Sequence, residues 1–395
     1  MKIAAITTYV VKAGKRYEIG GGSRDGEALP DSGYFRFHPY PHLYSQRSEA
    51  LVVRVDTTEG VSGWGEAQAP IAPEVAETIV RLILAPVVLG RPAVETNSRY
   101  IDMYEAMRVR GHGGGFYVDA IAAIDTALWD IRARAAGLSL STAIGGRLRE
   151  RLPCYASGLR RPTAEERTEE AKAHVGNGIS GLKLFLGHGL ERDAEAIALI
   201  RAAVGPRVRL FVDALWRYDY PSAVRLGRIC EQHKVDFLES PLLPDDIEGH
   251  ANLARELDVA IAVGEALRTR FQFTPWLQRG AIDICQPDVM RNGVSEACKI
   301  AVLAESLNKP VAYHTGCTTA IGLAATYHLA AAIPNFYIQE YQPVMLDTFN
   351  AWLKEPIRLS GGEIVVPSGP GLGIELDEER MRRDVVSMST VTLKS

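Results

Sequence analysis

From residue 152 to residue 340 the chain repeats one pattern: a short apolar run closed by a single polar residue, then a longer amphipathic stretch. The closing residues include Asp213 after Leu-Phe-Val, Glu239 after Asp-Phe-Leu, Glu265 after Ala-Val-Gly, His314 after Val-Ala-Tyr and Glu340 after Tyr-Ile-Gln. Apolar runs this short read as strands buried on both faces, as in a parallel sheet. The pattern predicts strands at 152–158, 181–186, 208–213, 235–239, 260–265, 282–286, 310–314 and 336–340, with helical stretches such as 166–175 and 193–203 between them. The polar residues recur every 23 to 30 positions, about the length of one strand, one helix and two short loops. Such alternation predicts right-handed crossovers closing into a (β/α) barrel whose strand ends share one mouth.

The flanks have other textures. Residues 1–67 are rich in β-branched types, with strands expected at 3–12, 50–57 and 61–66 and a hairpin turn at Asp56-Thr-Thr-Glu-Gly60. Residues 72–136 read as helical; in 119–130 apolar residues recur at helical spacing and the alanines permit close packing. Past residue 345, turn-rich segments such as Gly361-Gly-Glu and Gly369-Pro-Gly end the alternation, and this tail is expected to pack back on the first region. The expected division is a capping domain 1–136, a barrel 137–345 and a returning segment 346–395. The connection from 14 to 47 is longer than compact domains usually carry without a function. It holds Arg16, Arg24, Tyr34, Arg36 and His38, a set suited to gripping a polar ligand over the barrel mouth.

Composition narrows the class. At 395 residues the chain exceeds the usual size of one core, and 47% hydrophobic with 23% charged residues fits a globular enzyme. A net charge of −4 gives no electrostatic reason to expect nucleic acid as a partner. No run approaches the roughly 18 apolar residues of a membrane span. The first strand lacks a signal-peptide cleavage pattern, so no membrane partner and a cytoplasmic location are expected. Cys154, Cys230, Cys285, Cys298 and Cys317 show no zinc-ligand spacing and are expected to be reduced thiols.

The ladder carries the chemistry. Asp213, Glu239 and Glu265 would stand on three successive strand ends. Three ionised carboxylates repel in a low-dielectric pocket unless a cation holds them, and oxygen-only donors suit a hard ion, Mg2+ above all. Asp288 and His314 close neighbouring strands, so the carboxylate can orient the imidazole and raise its basicity. Lys183 lies in an apolar run and would be costly to bury unpaired; it is expected beside a substrate carboxylate, or paired with Asp213 or Glu239. Glu340, if protonated, would donate a hydrogen bond to a developing oxyanion.

Together with Gly63-Trp-Gly-Glu66, Ala123-Ile-Asp-Thr-Ala-Leu-Trp-Asp130, Ile144-Gly-Gly146, Gln286-Pro-Asp288 and Ala324-Ala-Thr-Tyr-His-Leu-Ala-Ala-Ala-Ile-Pro-Asn335, the ladder resembles the enolase superfamily. Within it, the resemblance is to the mandelate racemase-like group and spans nearly the whole chain. It implies an α/β fold: a modified (β/α)7β TIM-type barrel closed by an α+β capping domain made from both chain ends. It further implies Mg2+ on Asp213, Glu239 and Glu265, a catalytic dyad of Asp288 and His314, Glu340 hydrogen-bonded to the intermediate, and a homo-oligomer. The second barrel strand of this group often reads Lys-x-Lys; here Lys183 is followed by Phe185, whose ring cannot transfer a proton. Arg291 stands where muconate lactonizing-type relatives place a lysine, and Leu215-Trp216 follow the first ligand where relatives often have Asn.

A site with a base on one face only is expected to dehydrate a sugar acid, an aldonate or aldarate. His314 would remove the proton α to the carboxylate, the β-hydroxyl would leave, and the enol would ketonise to a 2-keto-3-deoxy acid. Tyr155 is expected as a further substrate contact. The alternatives are a racemase or epimerase that draws a second proton donor from Tyr155 or a loop histidine, and a metal-binding relative without catalysis.

Overall fold

The computed structural model describes residues 1–14, 26–37, 40–159, 161 and 163–393. The first region begins with β1 (Ile3–Ala13). A small antiparallel meander follows: β2 (Gly26–Ala28), β3 (Tyr34–Phe37) and β4 (Tyr40–Ser45). The connection read as an irregular binding loop therefore carries a sheet of its own. Next come β5 (Ser48–Thr57) and β6 (Ser62–Ala67), which pair antiparallel across the turn at Thr58–Gly60.

Helix Gly115–Ala135 lies directly on β6, and two glycines make that contact possible. A Cβ on Gly63 would stand 2.2 Å from the Ala127 carbonyl oxygen, and one on Gly65 would stand 1.9 Å from that of Ala123. The Gly-Trp-Gly-Glu motif and the alanines of the helix are two halves of one backbone-to-backbone packing. Overpacking of this kind costs ~1–3 kcal/mol or more. Gly65→Ala is expected to lower the urea midpoint by an amount at the top of that range; an unchanged midpoint would show that the helix can slide.

The barrel follows as β7 (Arg151–Ser157), β8 (Gly181–Phe185), β9 (Arg209–Asp213), β10 (Val235–Glu239), β11 (Ala260–Val263), β12 (Ile284–Cys285) and β13 (Gln339–Tyr341). Each consecutive pair from β7 to β12 is parallel, and β13 pairs parallel with β7 to close the ring. The strand expected at 310–314 is reduced to isolated bridges, Cys285↔Val311, Asp288↔His314 and Val311↔Phe336. It still occupies the seventh place. Tyr155, Phe211, Phe237, Ala262, Ile284, Ala312 and Ile338 fill the barrel interior as a packed apolar layer, which forms the floor of the mouth above it.

The tail adds β14 (Leu359–Ser360) and β15 (Glu363–Val365), antiparallel against β7, and then β16 (Val385–Thr392). β16 runs antiparallel along β1, completing a four-stranded sheet in the order β16-β1-β5-β6. No helix among the described residues is long and apolar enough to cross a membrane.

Buried carboxylates join this sheet and its helix to the barrel. Glu66 on β6 accepts from the Thr319 and Gly322 amides at 2.8 and 2.9 Å, at the start of barrel helix Ala320–Ala332. Asp125 accepts from the Ser295 amide at 2.8 Å and its hydroxyl at 2.6 Å, at the start of helix Val294–Ser306. Asp119 pairs with Arg268 at 3.0 Å. Helix N-termini favour the anions, but burial pushes the Asp125 carboxyl up to about 7 against the Ser295 bonds that lower it. The native state therefore holds this proton more tightly than the unfolded chain does. Its contribution is complete below the ordinary Asp range and is lost as pH rises through about 7. Asp125→Asn is expected to flatten the fall in melting temperature between pH 5 and pH 8; an unchanged slope would exclude Asp125 as its source.

Candidate active site

The strand ends set the site. Glu239 is in register with Asp213 across β10 and β9, and His314 bridges Asp288. Lys183, third residue of β8, is 1% exposed and sits amid carboxylates from three other strands. Its ammonium lies 2.9 Å from Glu239 Oε2, 2.9 Å from Glu340 Oε1 and 3.7 Å from Asp213 Oδ2. Burial alone would lower the lysine pKa, but Glu239 and Glu340 hold it well above its ordinary value. Lys183 is a fixed cation, not a base.

His314 Nδ1 stands 2.7 Å from Asp288 Oδ2, and Nε2 stands 3.1 Å from Glu265 Oε2. Burial would lower the imidazole pKa, yet these two carboxylates keep it well above the usual histidine range. The second oxygen of Glu265 accepts from the Trp216 indole at 2.7 Å. Trp216 is delivered by two successive non-glycine residues in the left-handed region, Leu215 at φ 50° and Trp216 at φ 60°. Such backbone is costly and persists where the surroundings enforce it. Here the Leu215 amide donates to Asp213 Oδ1 at 2.9 Å and the Trp216 amide donates to Ser240 O at 2.7 Å. Before Glu265, Gly264 approaches the Gln286 backbone so closely that a Cβ would lie 2.6 Å from it. The Gln286 side chain donates to Glu239 Oε2 at 2.8 Å.

Five carboxylates, Asp213, Glu239, Glu265, Asp288 and Glu340, thus face two cations, Lys183 and His314. Desolvation, followed by the charge of Glu239, raises the Asp213 pKa well above its ordinary value, the response of a cluster short of positive charge. Glu239 Oε1 is buried with no hydrogen-bond partner. An all-oxygen donor set, an excess of negative charge and an orphaned carboxylate oxygen fit a hard divalent cation. The cage is not drawn tight: among the described residues no three acidic, histidine or cysteine side chains converge closely enough to hold an ion. Lys183 takes the centre of the cluster and Glu265 is turned toward Trp216 and His314.

Two adjoining cavities lie at the cluster. An inner one of about 120 Å³ is lined by Lys183, Phe185, Asp213 and Glu340, and an outer one of about 330 Å³ by Arg291, Gln68, Arg47 and His42. Tyr44, Leu215, Glu265, His314 and Gly316 line both. The β3–β4 hairpin reaches this mouth, with Tyr44 and Leu215 packed on Phe35.

Several expected site residues stand elsewhere. Tyr34 donates to Glu49 at 3.1 Å and accepts from the Ala72 amide at 3.0 Å, so it anchors the hairpin to the cap. Arg36 is exposed and lines neither cavity. Arg16, Arg24 and His38 lie outside the described residues. Tyr155 is fully buried in the apolar layer, 4.8 Å from the Phe211 ring, and is floor rather than substrate contact. Glu340 is no proton donor. Its oxygens accept from Ser157 at 2.6 Å and the Thr315 amide at 2.8 Å, and Lys183, with His314, keeps its pKa low despite burial. Trp216, Gln286, Tyr44 and Ser157 had no charge or spacing signature to mark them in advance. The Gln286-Pro-Asp288 motif and the Leu215-Trp216 departure after Asp213 pointed to two of them, without giving either a partner.

This barrel and mouth define the class. Residues 166–380 match the family described as "Enolase C-terminal domain-like", and residues 41–145 match "Mandelate racemase / muconate lactonizing enzyme, N-terminal domain". The chain belongs to the enolase superfamily, in its mandelate racemase-like group, whose enzymes use a divalent metal. It is 31% identical over 347 residues to a D-galactarolactone cycloisomerase of Agrobacterium fabrum, covering 85% of this chain and 91% of that protein. It is 31% identical over 330 residues to an arabinonate dehydratase of Saccharolobus solfataricus, covering 82% and 87%. A crystal structure of an enolase superfamily member from Agrobacterium tumefaciens superposes with a TM-score of 0.92 at 29% identity, covering 99% of this chain and all of that one.

Proposed function

We propose that the chain is a Mg2+-dependent dehydratase of a sugar acid. Asp213, Glu239 and Glu265 are the residues that would hold the ion, which supplies positive charge beside the substrate carboxylate and so eases loss of the neighbouring proton. Lys183 adds a fixed positive charge at the inner wall. His314 Nε2 takes the α-proton, while Asp288 accepts from Nδ1–H and holds that tautomer. For this Nε2 must be released from Glu265 Oε2 and lose the proton that this carboxylate stabilises there. The C–H electron pair becomes the new C=C bond, and the C–O bond to the β-hydroxyl breaks with its pair. His314 returns its proton to that oxygen as water forms, and the enol ketonises to a 2-keto-3-deoxy acid.

The observation that carries this reading is the His314–Asp288 pair at the shared wall, together with lining groups that cannot exchange a proton. The inner cavity is also lined by Phe185, whose ring carries no exchangeable proton, and by Lys183, whose ammonium is tied to Glu239 and Glu340 at 2.9 Å each. One-faced proton transfer favours elimination over inversion. Relatives named dehydratases of arabinonate, gluconate and galactonate support the same class. The test is incubation with Mg2+ and a panel of aldonic and aldaric acids in D2O. Dehydration yields a keto acid that semicarbazide traps. Recovery of α-deuterated substrate without keto acid would replace this reading with a racemase, and turnover of no acid with a non-catalytic relative.

A further inference from the structure

The two cavities differ in charge. The inner one gathers carboxylates, whereas Glu265 is the only acidic residue among the described residues lining the outer one, and it is bonded to Trp216 and His314. Arg291, from the short helix Val289–Asn292 that Asp288 caps, lines the outer cavity. Its Nη1 donates to the Glu265 carbonyl at 2.7 Å and its Nε to Gln68 Oε1. Both acceptors are neutral. No carboxylate of the described residues lies within ion-pair distance of Arg291, while the neighbouring Arg268 is satisfied by Asp119 at 3.0 Å. A half-buried guanidinium that is steered by two neutral acceptors, and feels Asp288, Asp119 and Glu265 only from beyond ion-pair distance, is better compensated when a ligand supplies a contacting charge. A planar fork of donors matches a carboxylate, which can accept from it bidentately.

His314 stands where the cavities meet, so the carbon that loses its proton sits at the junction. The reacting carboxylate then lies on the inner side and the rest of the substrate extends toward Arg291. We propose that Arg291, oriented by Gln68, receives a second carboxyl function at the far end of the substrate, making it an aldarate or an aldarolactone rather than an aldonate. This rests on the reading of the site as a sugar acid eliminase. From an aldarate the leaving group is hydroxide, which departs as water with the proton from His314. From a lactone the β C–O bond of the ring breaks instead. Its electron pair stays on a carboxylate born beside Arg291, and the proton passes to solvent. Both routes give the same keto diacid.

The test uses the Mg2+-loaded protein with six-carbon aldonic acids, the aldaric acids of matching configuration and their 1,4-lactones, reading keto acid by semicarbazide. For at least one configuration, kcat/KM for the aldarate or the lactone is expected to exceed that of the matched aldonate about a hundredfold or more. In Arg291→Met that ratio collapses to about tenfold or less, mainly through KM for the diacid. Arg291→Lys, which keeps the charge but not the fork, falls between. Faster lactone turnover with proton release assigns ring opening; faster aldarate turnover without it assigns loss of water. Aldonates processed as well as the diacids overturn the inference and leave the proposed function standing. An equal proportional loss on both acids in a folded Arg291→Met, checked by its melting curve, makes the residue a prop for Glu265. Wild-type protein that processes no acid removes both readings.

Discussion

His314→Asn is expected to lower kcat on the dehydrated acid by about 10²–10⁴-fold while the protein stays folded, because general acid–base transfer contributes about that much. Asn is close in size and can donate to Asp288 in place of Nδ1–H, which sits 2.7 Å from that carboxylate. What it lacks is an atom that can hold a proton between its removal from carbon and its delivery to the departing oxygen. Both transfers pass through one nitrogen, so both steps slow together. A merely positional role for His314 would instead raise KM with kcat little changed. Retention of kcat within about tenfold would move the base elsewhere.

Lys183→Met is expected to destabilise the fold by about 3–5 kcal/mol in urea denaturation at neutral pH, the range for removing one partner of a buried ionic network. Its ammonium is the cation shared by Glu239, Glu340 and Asp213, all nearly solvent-free. Without it these carboxylates must take up protons or stay charged in a low dielectric. Raised carboxyl pKa values make the native state bind more protons than the unfolded chain, so the loss should deepen as pH rises. Saturating Mg2+ is expected to recover part of the stability, since a ligand that binds only the native cluster stabilises it by mass action. Equal stability of variant and wild type would refute the central role of Lys183. Failure of Mg2+ to protect would count against Asp213, Glu239 and Glu265 as its holders.

Much of this was legible in the order of residues. A buried parallel strand needs an apolar run, and a functional strand end needs a polar terminus, so β9, β10 and β13 announced themselves together with Asp213, Glu239 and Glu340. The seventh strand was legible as a run yet makes only isolated bridges, because pairing geometry is not encoded in hydrophobicity. The long first connection was legible as a mouth cover, but Tyr34 and Arg36 were misjudged. A meander turns alternate side chains to opposite sides, and its register with the cap decides which of them see the cavity. Glu340 was misread for a related reason: its protonation depends on the donors around it, and these come from distant segments, Lys183, Ser157 and Thr315.

By itself the sequence determined the β/α ladder and the polar residues that stand on the strand ends, since these follow from local residue type and spacing, and its motifs carried the resemblance to the family. Beyond the Asp288–His314 pair and the Lys183 pairing already expected, tertiary structure decided the partners. It set Glu265 between Trp216 and His314, put Lys183 at the centre of three carboxylates, sealed Tyr155 into the floor and left Arg291 facing a cavity with no carboxylate of the described residues inside ion-pair distance. A charged side chain takes its protonation state and its role from whatever lies within a few ångströms. Once the barrel has closed, those neighbours are far away in the chain.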